Sequence, residues 1–256
     1  MNSILGHHVH GAGNNTVILI HEWLGNHENW QDMRHYLPLD DIRWVIADLR
    51  GYGWSKNIEG AYCLEEAASD IAALAQHLGA KKVHLAGHSM GGLVAQAIAA
   101  KHPGRVKSLS LICSVPASGF PADAPTKEHM QSLLVNPVRL GQAIHDRTGH
   151  RLGTGWVMRK AHLARRAGLK SAMLAYLSMF TESDITAGVT GLDLPVRLIT
   201  GAYDLPFYRL PSLRPLFEAW YPRLDAVEIM EAGHYPMLET PARLAALLED
   251  WVRRHS

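Results

Sequence analysis

Residues 85–102 read LAGHSMGGLVAQAIAAKH, an apolar run that ends in a glycine-rich turn and continues as a helical pattern of small residues. Ser89 lies in that turn, within Gly87-His88-Ser89-Met90-Gly91, the G-x-S-x-G arrangement of strand, sharp turn and helix. A Cβ at position 87 or 91 would collide with neighbouring backbone. The turn therefore holds the Ser89 hydroxyl clear of the sheet, at a helix N-terminus where free N–H groups favour developing negative charge.

Short β-branched runs alternate with helical patterns on both sides of this turn. A helical pattern such as residues 64–79 lies between two runs and ends at Gly79, as a helix stop should. The runs are apolar on both faces, as strands of a covered parallel sheet must be, and comprise residues 16–20, 43–48, 82–87, 106–113, 195–201 and 226–230. The alternation predicts an α/β fold built on a doubly wound, mostly parallel sheet.

The alternation stops over residues 116–194, which begin with prolines and continue with helical patterns and no strand. We interpret this stretch as a helical insertion over one end of the sheet. The chain then divides into a core, residues 1–115 and 195–256, and an insertion, residues 116–194. The longest helical pattern, residues 156–180, carries a basic cluster that we interpret as a solvated face, with an anion-binding or docking face as the alternative: Arg159, Lys160, Arg165, Arg166 and Lys170.

Net charge, cysteine usage and the lack of long apolar runs limit the expected cellular location and partners of the chain. Its 256 residues carry a net charge of +1, so no global field recruits nucleic acid or anionic membrane. Cys63 and Cys113 lie in unlike contexts, and we expect free thiols in a reducing compartment. The start has no signal-peptide pattern, and no apolar run approaches the ~18 residues of a membrane span. We expect a cytoplasmic protein without a nucleic-acid or membrane partner, as a monomer or homodimer.

A serine nucleophile needs a base, and position selects one among sixteen histidines. His234 follows the last predicted strand and precedes the final helix, which places it at the same sheet edge as Ser89. Asp204 follows the preceding strand and can orient that histidine. Asp193 precedes its strand and falls at the wrong edge, and Ser114 closes the strand after the turn, so no acid is available there. The chain order Ser89, Asp204, His234 is the one expected for this turn.

Residues 21–25, 48–55, 87–92, 201–204 and 233–241 together resemble the α/β-hydrolase fold superfamily, in its capped, cofactor-free serine hydrolase form of esterases and lactonases. The resemblance implies that Ser89 attacks, His234 shuttles the proton and Asp204 holds the histidine tautomer. It implies backbone oxyanion donors at Trp23 and Met90, a lid formed by the insertion, and no cofactor or metal. Because little sequence precedes the strand at 16–20, we expect the sheet to lack one N-terminal edge strand.

The resemblance fails at Glu22, where the family has glycine after the histidine at position 21. A carboxylate facing the oxyanion would oppose it, so we predict that Glu22 points away toward a polar or solvated partner. The alternative is that Glu22 reaches the substrate cavity, beside His21, and selects a polar or cationic substrate. His8 and His10 share one strand face, and we interpret them as surface histidines rather than a metal pair.

The chemistry predicted from these residues is hydrolysis of a carboxylic ester or lactone through an acyl-enzyme. Serine at position 89 argues against haloalkane dehalogenases and the usual epoxide hydrolases, which have aspartate there. Two alternatives stay open at this point. One is hydrolysis of a carbon–carbon bond in a β-diketone-type substrate by the same three residues, and the other is a low-turnover small-molecule receptor on the same fold.

Overall fold

A computed structural model describes residues 4–256, and within them seven strands form one sheet in the order β1-β3-β2-β4-β5-β6-β7. β1 runs antiparallel to β3, and every other neighbouring pair is parallel. This confirms the doubly wound, mostly parallel sheet. The strands are β1 His7–His10, β2 Asn15–Ile20, β3 Ile42–Ala47, β4 Val83–His88, β5 Val106–Ile112, β6 Val196–Gly201 and β7 Leu224–Ile229.

Helices cover the sheet and bury its central strands from solvent. All six residues of β4 and of β6 are buried, as strands covered on both faces must be. Helix α2 packs against β4 and β5, α10 against β5, and α8 against β6 and β7. The α-helices are α1 Leu64–His77, α2 Met90–Lys101, α3 Ala124–Leu133, α4 Pro137–Asp146, α5 Thr154–Arg166, α6 Lys170–Glu182, α7 Thr186–Val189, α8 Leu210–Trp220, α9 Pro236–Glu239 and α10 Pro241–Arg254.

The six parallel strands all end at one edge of the sheet, where ligands of open α/β sheets bind. The segments that directly follow β2, β4, β6 and β7 contain every residue predicted from the sequence to take part in catalysis or substrate binding. At the N-terminal side, β1 is the strand that precedes β2 within the described residues, and the predicted loss of a further edge strand stays a prediction. Cys63 and Cys113 are both free thiols. None of the helices within residues 4–256 combines the length and the apolar character that crossing a bilayer requires.

Five helices, α3 to α7, and no strand lie between β5 and β6 in this fully described stretch. The helical pattern predicted over 156–180 is broken at 167–169, so that α5 and α6 are separate. At the break, the Gly53 N–H donates to the Ala167 carbonyl (2.9 Å) and the Leu169 N–H donates to the Gly51 carbonyl (2.8 Å). Gly168 permits this approach, because a Cβ there would lie 2.7 Å from the Gly51 oxygen. The break therefore joins the helical segment to the loop after β3.

Candidate active site

Ser89 occupies a strained turn between β4 and α2. Its backbone angles are φ 52° and ψ −115°, a region that non-glycine residues seldom adopt and that must be imposed by the surroundings. The Ser89 N–H donates to the Ile112 carbonyl (2.9 Å), and the Val115 N–H donates to the Ser89 carbonyl (3.0 Å). These bonds from the end of β5 fix the turn on both sides of the hydroxyl-bearing residue.

The two glycines of the turn have the steric role that the sequence predicted. A Cβ at Gly87 would overlap the Gly91 carbonyl, and a Cβ at Gly91 would lie 2.5 Å from the Ile20 oxygen and 2.6 Å from the His21 oxygen. Ile20 is the last residue of β2, and His21 directly follows it. Glycine at position 91 therefore lets the N-terminus of α2 pack directly against the loop that begins at His21.

His234 and Asp204 are hydrogen-bonded to each other at the same sheet edge. The His234 Nδ1–H donates to Asp204 Oδ2 (2.7 Å), and the Leu205 N–H donates to Asp204 Oδ1 (2.7 Å). Both side chains are buried. Because Nδ1 carries the proton of this bond, the neutral His234 ring presents Nε2 as an acceptor. The pair thus has one carboxylate that orients and one imidazole nitrogen that is available as a base.

Tyr208, which was not predicted from the sequence, neighbours both the serine and the histidine. Its ring packs edge-on against His234 at a centroid distance of 4.7 Å, and its hydroxyl lies beside the Ser89 side chain. Burial raises the Tyr208 pKa, so the phenol stays protonated. It comes from the short 3₁₀ helix Pro206–Tyr208, directly after the Asp204 loop.

Buried groups hold the backbone around His234. Glu239 accepts from the N–H groups on both sides of the histidine, at Gly233 (2.8 Å) and Tyr235 (2.9 Å), and pairs with Arg151 (2.6 Å). The His234 N–H itself donates to the Arg147 carbonyl (2.8 Å). The stretch after α4 therefore packs on the histidine loop. Glu239 lies in the stretch 233–241 that carried the family resemblance, but its role was not predicted.

Two further buried histidines act on the backbone. His88 Nε2–H donates to the His234 carbonyl (2.7 Å), and burial lowers the His88 pKa to about 3. His21 Nδ1–H donates to the Glu22 carbonyl (2.7 Å), while His21 Nε2 accepts from the Leu49 N–H (3.0 Å). Both ring nitrogens of His21 are thus engaged by main chain, which makes it a residue that shapes the loop.

The backbone N–H groups of Trp23 and Met90 have the freedom that an oxyanion donor needs. Within residues 4–256, neither donates to a main-chain or side-chain acceptor. Met90 is the first residue of α2, so its N–H is one of the unpaired donors at a helix N-terminus. The Trp23 indole is held elsewhere, because its Nε1–H donates to the Met173 carbonyl of α6 (2.7 Å).

Glu22 points into a buried ion pair with Lys160 of α5. Lys160 Nζ lies 2.7 Å from Glu22 Oε1, and the two side chains are 1% and 5% exposed. Burial alone would raise the Glu22 pKa, but the Lys160 ammonium, with His88 and His234, lowers it to about 2. The solvated-face interpretation of the basic cluster is therefore wrong for Lys160. A signal was present, since Lys160 falls in one i, i+4 row with Trp156 and Ala164.

Two other basic residues of that cluster, Arg159 and Arg166, also pair with carboxylates of the core. Arg159 pairs with Asp32 through both guanidinium nitrogens (2.7 and 2.8 Å), and Arg166 pairs with Glu28. These pairs are about half exposed on the arginine side. They join α5 to the segment after β2, but they lie outside the buried site.

Apolar and aromatic side chains form the walls around these groups. Trp23 packs against Phe180 of α6 with ring centroids 5.8 Å apart, and Phe120 stacks on Tyr208 at 5.8 Å. Ser89 is only 7% exposed. The polar groups around Ser89 are therefore buried among apolar and aromatic side chains, a surrounding typical of small-molecule sites.

The histidine pair of β1 is bonded to one arginine. Arg34 donates to His8 Nε2 (2.9 Å), and His10 Nε2–H donates to the Arg34 carbonyl (3.1 Å). A guanidinium beside His8 opposes a second cation there. Elsewhere within residues 4–256, potential ligand atoms converge at Cys113, Asp204 and His234. Asp204 and His234 already bond each other, and burial raises the pKa of the Cys113 thiol, so this trio is a poor metal site.

Known proteins with related sequences include one that matches nearly the whole chain and one that matches less than half of it. Pimeloyl-[acyl-carrier protein] methyl ester esterase of Sodalis glossinidius is 28% identical, over 96% of this chain and 96% of its own. The dihydrolipoyllysine-residue acetyltransferase component of an acetoin cleaving system from Pseudomonas putida is 39% identical over 41% of this chain. The aligned part covers 28% of the acetyltransferase component's length.

Structural and family comparisons agree on the fold. An esterase from Thermogutta terrifontis superposes with a TM-score of 0.82 at 27% identity, covering 98% of this chain and 94% of that one. The family described as alpha/beta hydrolase fold matches residues 15–202, which include β2 to β6 and the serine turn. The match spans well over half of the 256 residues, so this chain belongs to the alpha/beta hydrolase fold family.

Proposed function

We propose that this protein is a carboxylic ester hydrolase that works through an acyl-enzyme on Ser89, with His234 as the base and Asp204 as its orienting acid. The observation that carries the proposal is the 2.7 Å hydrogen bond from His234 Nδ1–H to Asp204, at the sheet edge where the strained turn presents Ser89. Esterase relatives that match nearly the whole chain support the reaction class.

The bond to Asp204 leaves His234 Nε2 free to take the Ser89 hydroxyl proton as the oxygen attacks the ester carbonyl carbon. The carbonyl oxygen becomes negative and accepts from the N–H groups of Trp23 and Met90, each worth ~3 kcal/mol of transition-state stabilisation. The protonated histidine then donates to the departing alcohol. Water then attacks the acyl carbon and gives a proton to His234. The bond from the acyl carbon to the Ser89 oxygen breaks, and His234 returns the proton to that oxygen, which releases the acid and restores free serine.

We assign residues 116–194 the role of a lid. Met173 and Phe180 of α6 hold the Trp23 side chain, and the stretch after α4 packs on the His234 loop. Aromatic rings of this segment pack on Trp23 and on Tyr208, beside the proposed nucleophile, which suits an apolar acyl group. A small-molecule ester or lactone would enter between the helical segment and the sheet edge, and the Ser89–Asp204–His234 set needs no cofactor for this chemistry.

A second candidate substrate is the methyl ester of an acyl chain borne on a carrier protein. The full-length similarity to pimeloyl-[acyl-carrier protein] methyl ester esterases favours it. Such a substrate would need its protein part docked outside the site while its acyl chain reaches Ser89. Two of the arginines on α5, at positions 159 and 166, are already paired with core carboxylates and are not free to bind an acidic partner.

The test is hydrolysis of nitrophenyl esters of increasing acyl length, alongside a pimeloyl methyl ester offered both free and on acyl carrier protein. The proposal predicts turnover that falls ~10⁶-fold in kcat in Ser89→Ala. The acyl-length optimum reports the depth of the pocket. Turnover confined to the carrier-borne ester would favour the second candidate. Absence of wild-type turnover on all of these esters and on simple lactones would overturn the esterase assignment. The next experiments would then be hydrolysis of β-diketone-type substrates and measurement of ligand binding without turnover.

A further inference from the structure

The buried pair of Glu22 and Lys160 needs an explanation other than stability. Both side chains lie almost entirely out of solvent, with Nζ and Oε1 2.7 Å apart. Desolvating two charges costs about as much as their attraction returns, and apolar replacements of such pairs are often neutral or stabilising. A pair placed here, on the loop that carries the proposed oxyanion donor Trp23, is therefore better explained by what it holds in position.

Lys160 binds the residues on both sides of Trp23. Its ammonium pairs with the Glu22 carboxylate and donates to the Leu24 carbonyl (2.8 Å). The Asn29 side-chain amide donates to the same oxygen, Glu22 Oε1 (3.0 Å), and so adds a second bond to the carboxylate. The Trp23 carbonyl accepts from the Tyr52 hydroxyl (2.8 Å). The Glu22 carboxylate and the carbonyls of Trp23 and Leu24 thus all accept hydrogen bonds, while the Trp23 N–H has no acceptor within residues 4–256.

The same ammonium reaches the loop of the proposed base. Lys160 Nζ lies 4.8 Å from the centre of the Tyr235 ring, and Tyr235 directly follows His234. A cation over an aromatic face is attracted to it, more strongly where water is excluded. One side chain of α5 therefore touches both the loop that carries the oxyanion donor and the loop that carries the base.

We propose that Lys160 and Glu22 are positioning residues, which hold the Trp23 N–H in line with the oxyanion only when helix α5 is seated on the sheet edge. The inference rests on the proposed function. It assigns Glu22, the departure from the family's glycine, a role as the anchor for a cation from the helical segment. It also makes completion of the oxyanion site depend on docking of that segment.

Three variants test the inference, each compared with wild type on the best nitrophenyl ester. Lys160→Met removes the cation, and Glu22→Gln/Lys160→Met also removes the unpaired carboxylate, so that this double variant folds even where the single does not. Arg159→Met is the matched control, because Arg159 neighbours Lys160 on α5 and ties the same helix to Asp32 without touching residues 22–24. Circular dichroism establishes which variants are folded.

The readouts are kcat, KM and the affinity for a trifluoromethyl ketone, which forms a tetrahedral adduct with a negative oxygen. We expect Lys160→Met and the double variant to lose ~10²-fold in kcat, the effect of one misplaced oxyanion donor, with KM changed less than threefold. Affinity for the ketone falls by the same factor as kcat. Arg159→Met keeps both within twofold of wild type.

Two outcomes overturn the inference. One is a folded double variant with wild-type kcat and ketone affinity, and the other is a loss that appears in KM alone. A wild type that neither hydrolyses esters nor binds the ketone shows instead that the proposed function is wrong, and the positioning role falls with it. The two failures are distinguished by the wild-type measurement, which is made first.

Discussion

Replacing Lys160 by methionine should destabilise the fold through the charge left behind. The methionine matches the lysine stem in length but leaves Glu22, 5% exposed on its side chain, without its cation. Breaking a buried pair from one side costs ~3–5 kcal/mol. At about 2–4 °C per kcal/mol for a chain of this size, the midpoint of thermal unfolding should fall by roughly 6–20 °C.

Two comparisons isolate that charge. The double variant Glu22→Gln/Lys160→Met contains no uncompensated ion, so it should regain more than half of the lost free energy of unfolding. Arg159→Met removes an ion pair that is 48% exposed on the arginine side, and such pairs contribute less than ~1 kcal/mol. Urea unfolding at pH 7, followed by circular dichroism, gives all three values on one scale.

The pH dependence has a definite sign. The folded-state pKa of Glu22 is about 2, below its ordinary value of 4.5. A carboxyl with a lowered folded-state pKa contributes stability that is fully present above the unfolded pKa and is lost as the pH falls toward the folded one. In wild type this contribution is lost between pH 4.5 and 2. In Lys160→Met the carboxyl is buried without its cation, which raises its pKa, so the variant takes up a proton at a higher pH and its penalty falls there. The stability gap between wild type and Lys160→Met should therefore narrow continuously as the pH falls from 7 to 2. A single variant within 1 kcal/mol of wild type, or a double variant no more stable than the single, would refute this reasoning.

Three further substitutions, one of them with a matched control, probe the loops around the proposed site. Asp204→Asn should lower kcat by ~10⁴ at pH 7 with a normal far-ultraviolet spectrum, because an amide stabilises the wrong histidine tautomer; a loss under tenfold contradicts the orienting role. Glu239→Gln should cost ~1–3 kcal/mol in thermal unfolding and lower kcat, because an amide NH₂ now faces one of the two N–H groups beside His234; unchanged stability and kcat would refute the clamp. Gly91→Ala should cost ~1–3 kcal/mol by overpacking, whereas Gly104→Ala, where a Cβ meets nothing within 4 Å, should cost less than ~0.5 kcal/mol; equal effects would contradict the steric account of the turn.

The sheet and the Asp204–His234 contact were predictable because parallel strands fix direction. Once residues 195–201 and 226–230 are recognised as neighbouring parallel strands, Asp204 and His234, which follow them, must lie at one edge of the sheet. The sharp turn at Ser89 was equally predictable, because two glycines within five residues, between a strand and a helix, are typical of that turn. These are local patterns whose three-dimensional consequence follows from a single rule of topology.

The supports of the site were not predictable in the same way. Lys160 and Glu22 are far apart in sequence, and no local pattern predicts which residue pairs with a buried charge. The break at 167–169 depends on main-chain bonds to residues 51–53, which the helical periodicity of 156–180 does not contain. Tyr208 and Glu239 act through contacts with Ser89 and with the N–H groups flanking His234, and such contacts become visible only when the loops are assembled.

The central claim, an acyl-enzyme on Ser89, is tested most directly by covalent labelling. Wild type and Ser89→Ala are each treated with an alkyl fluorophosphonate, which reacts with activated serines, and the intact and digested proteins are weighed by mass spectrometry. We expect one adduct on wild type, mapped to the peptide that contains Ser89, with ester hydrolysis lost in proportion, and no adduct on Ser89→Ala. Labelling at another residue, or ester hydrolysis that persists in Ser89→Ala, would contradict the central claim.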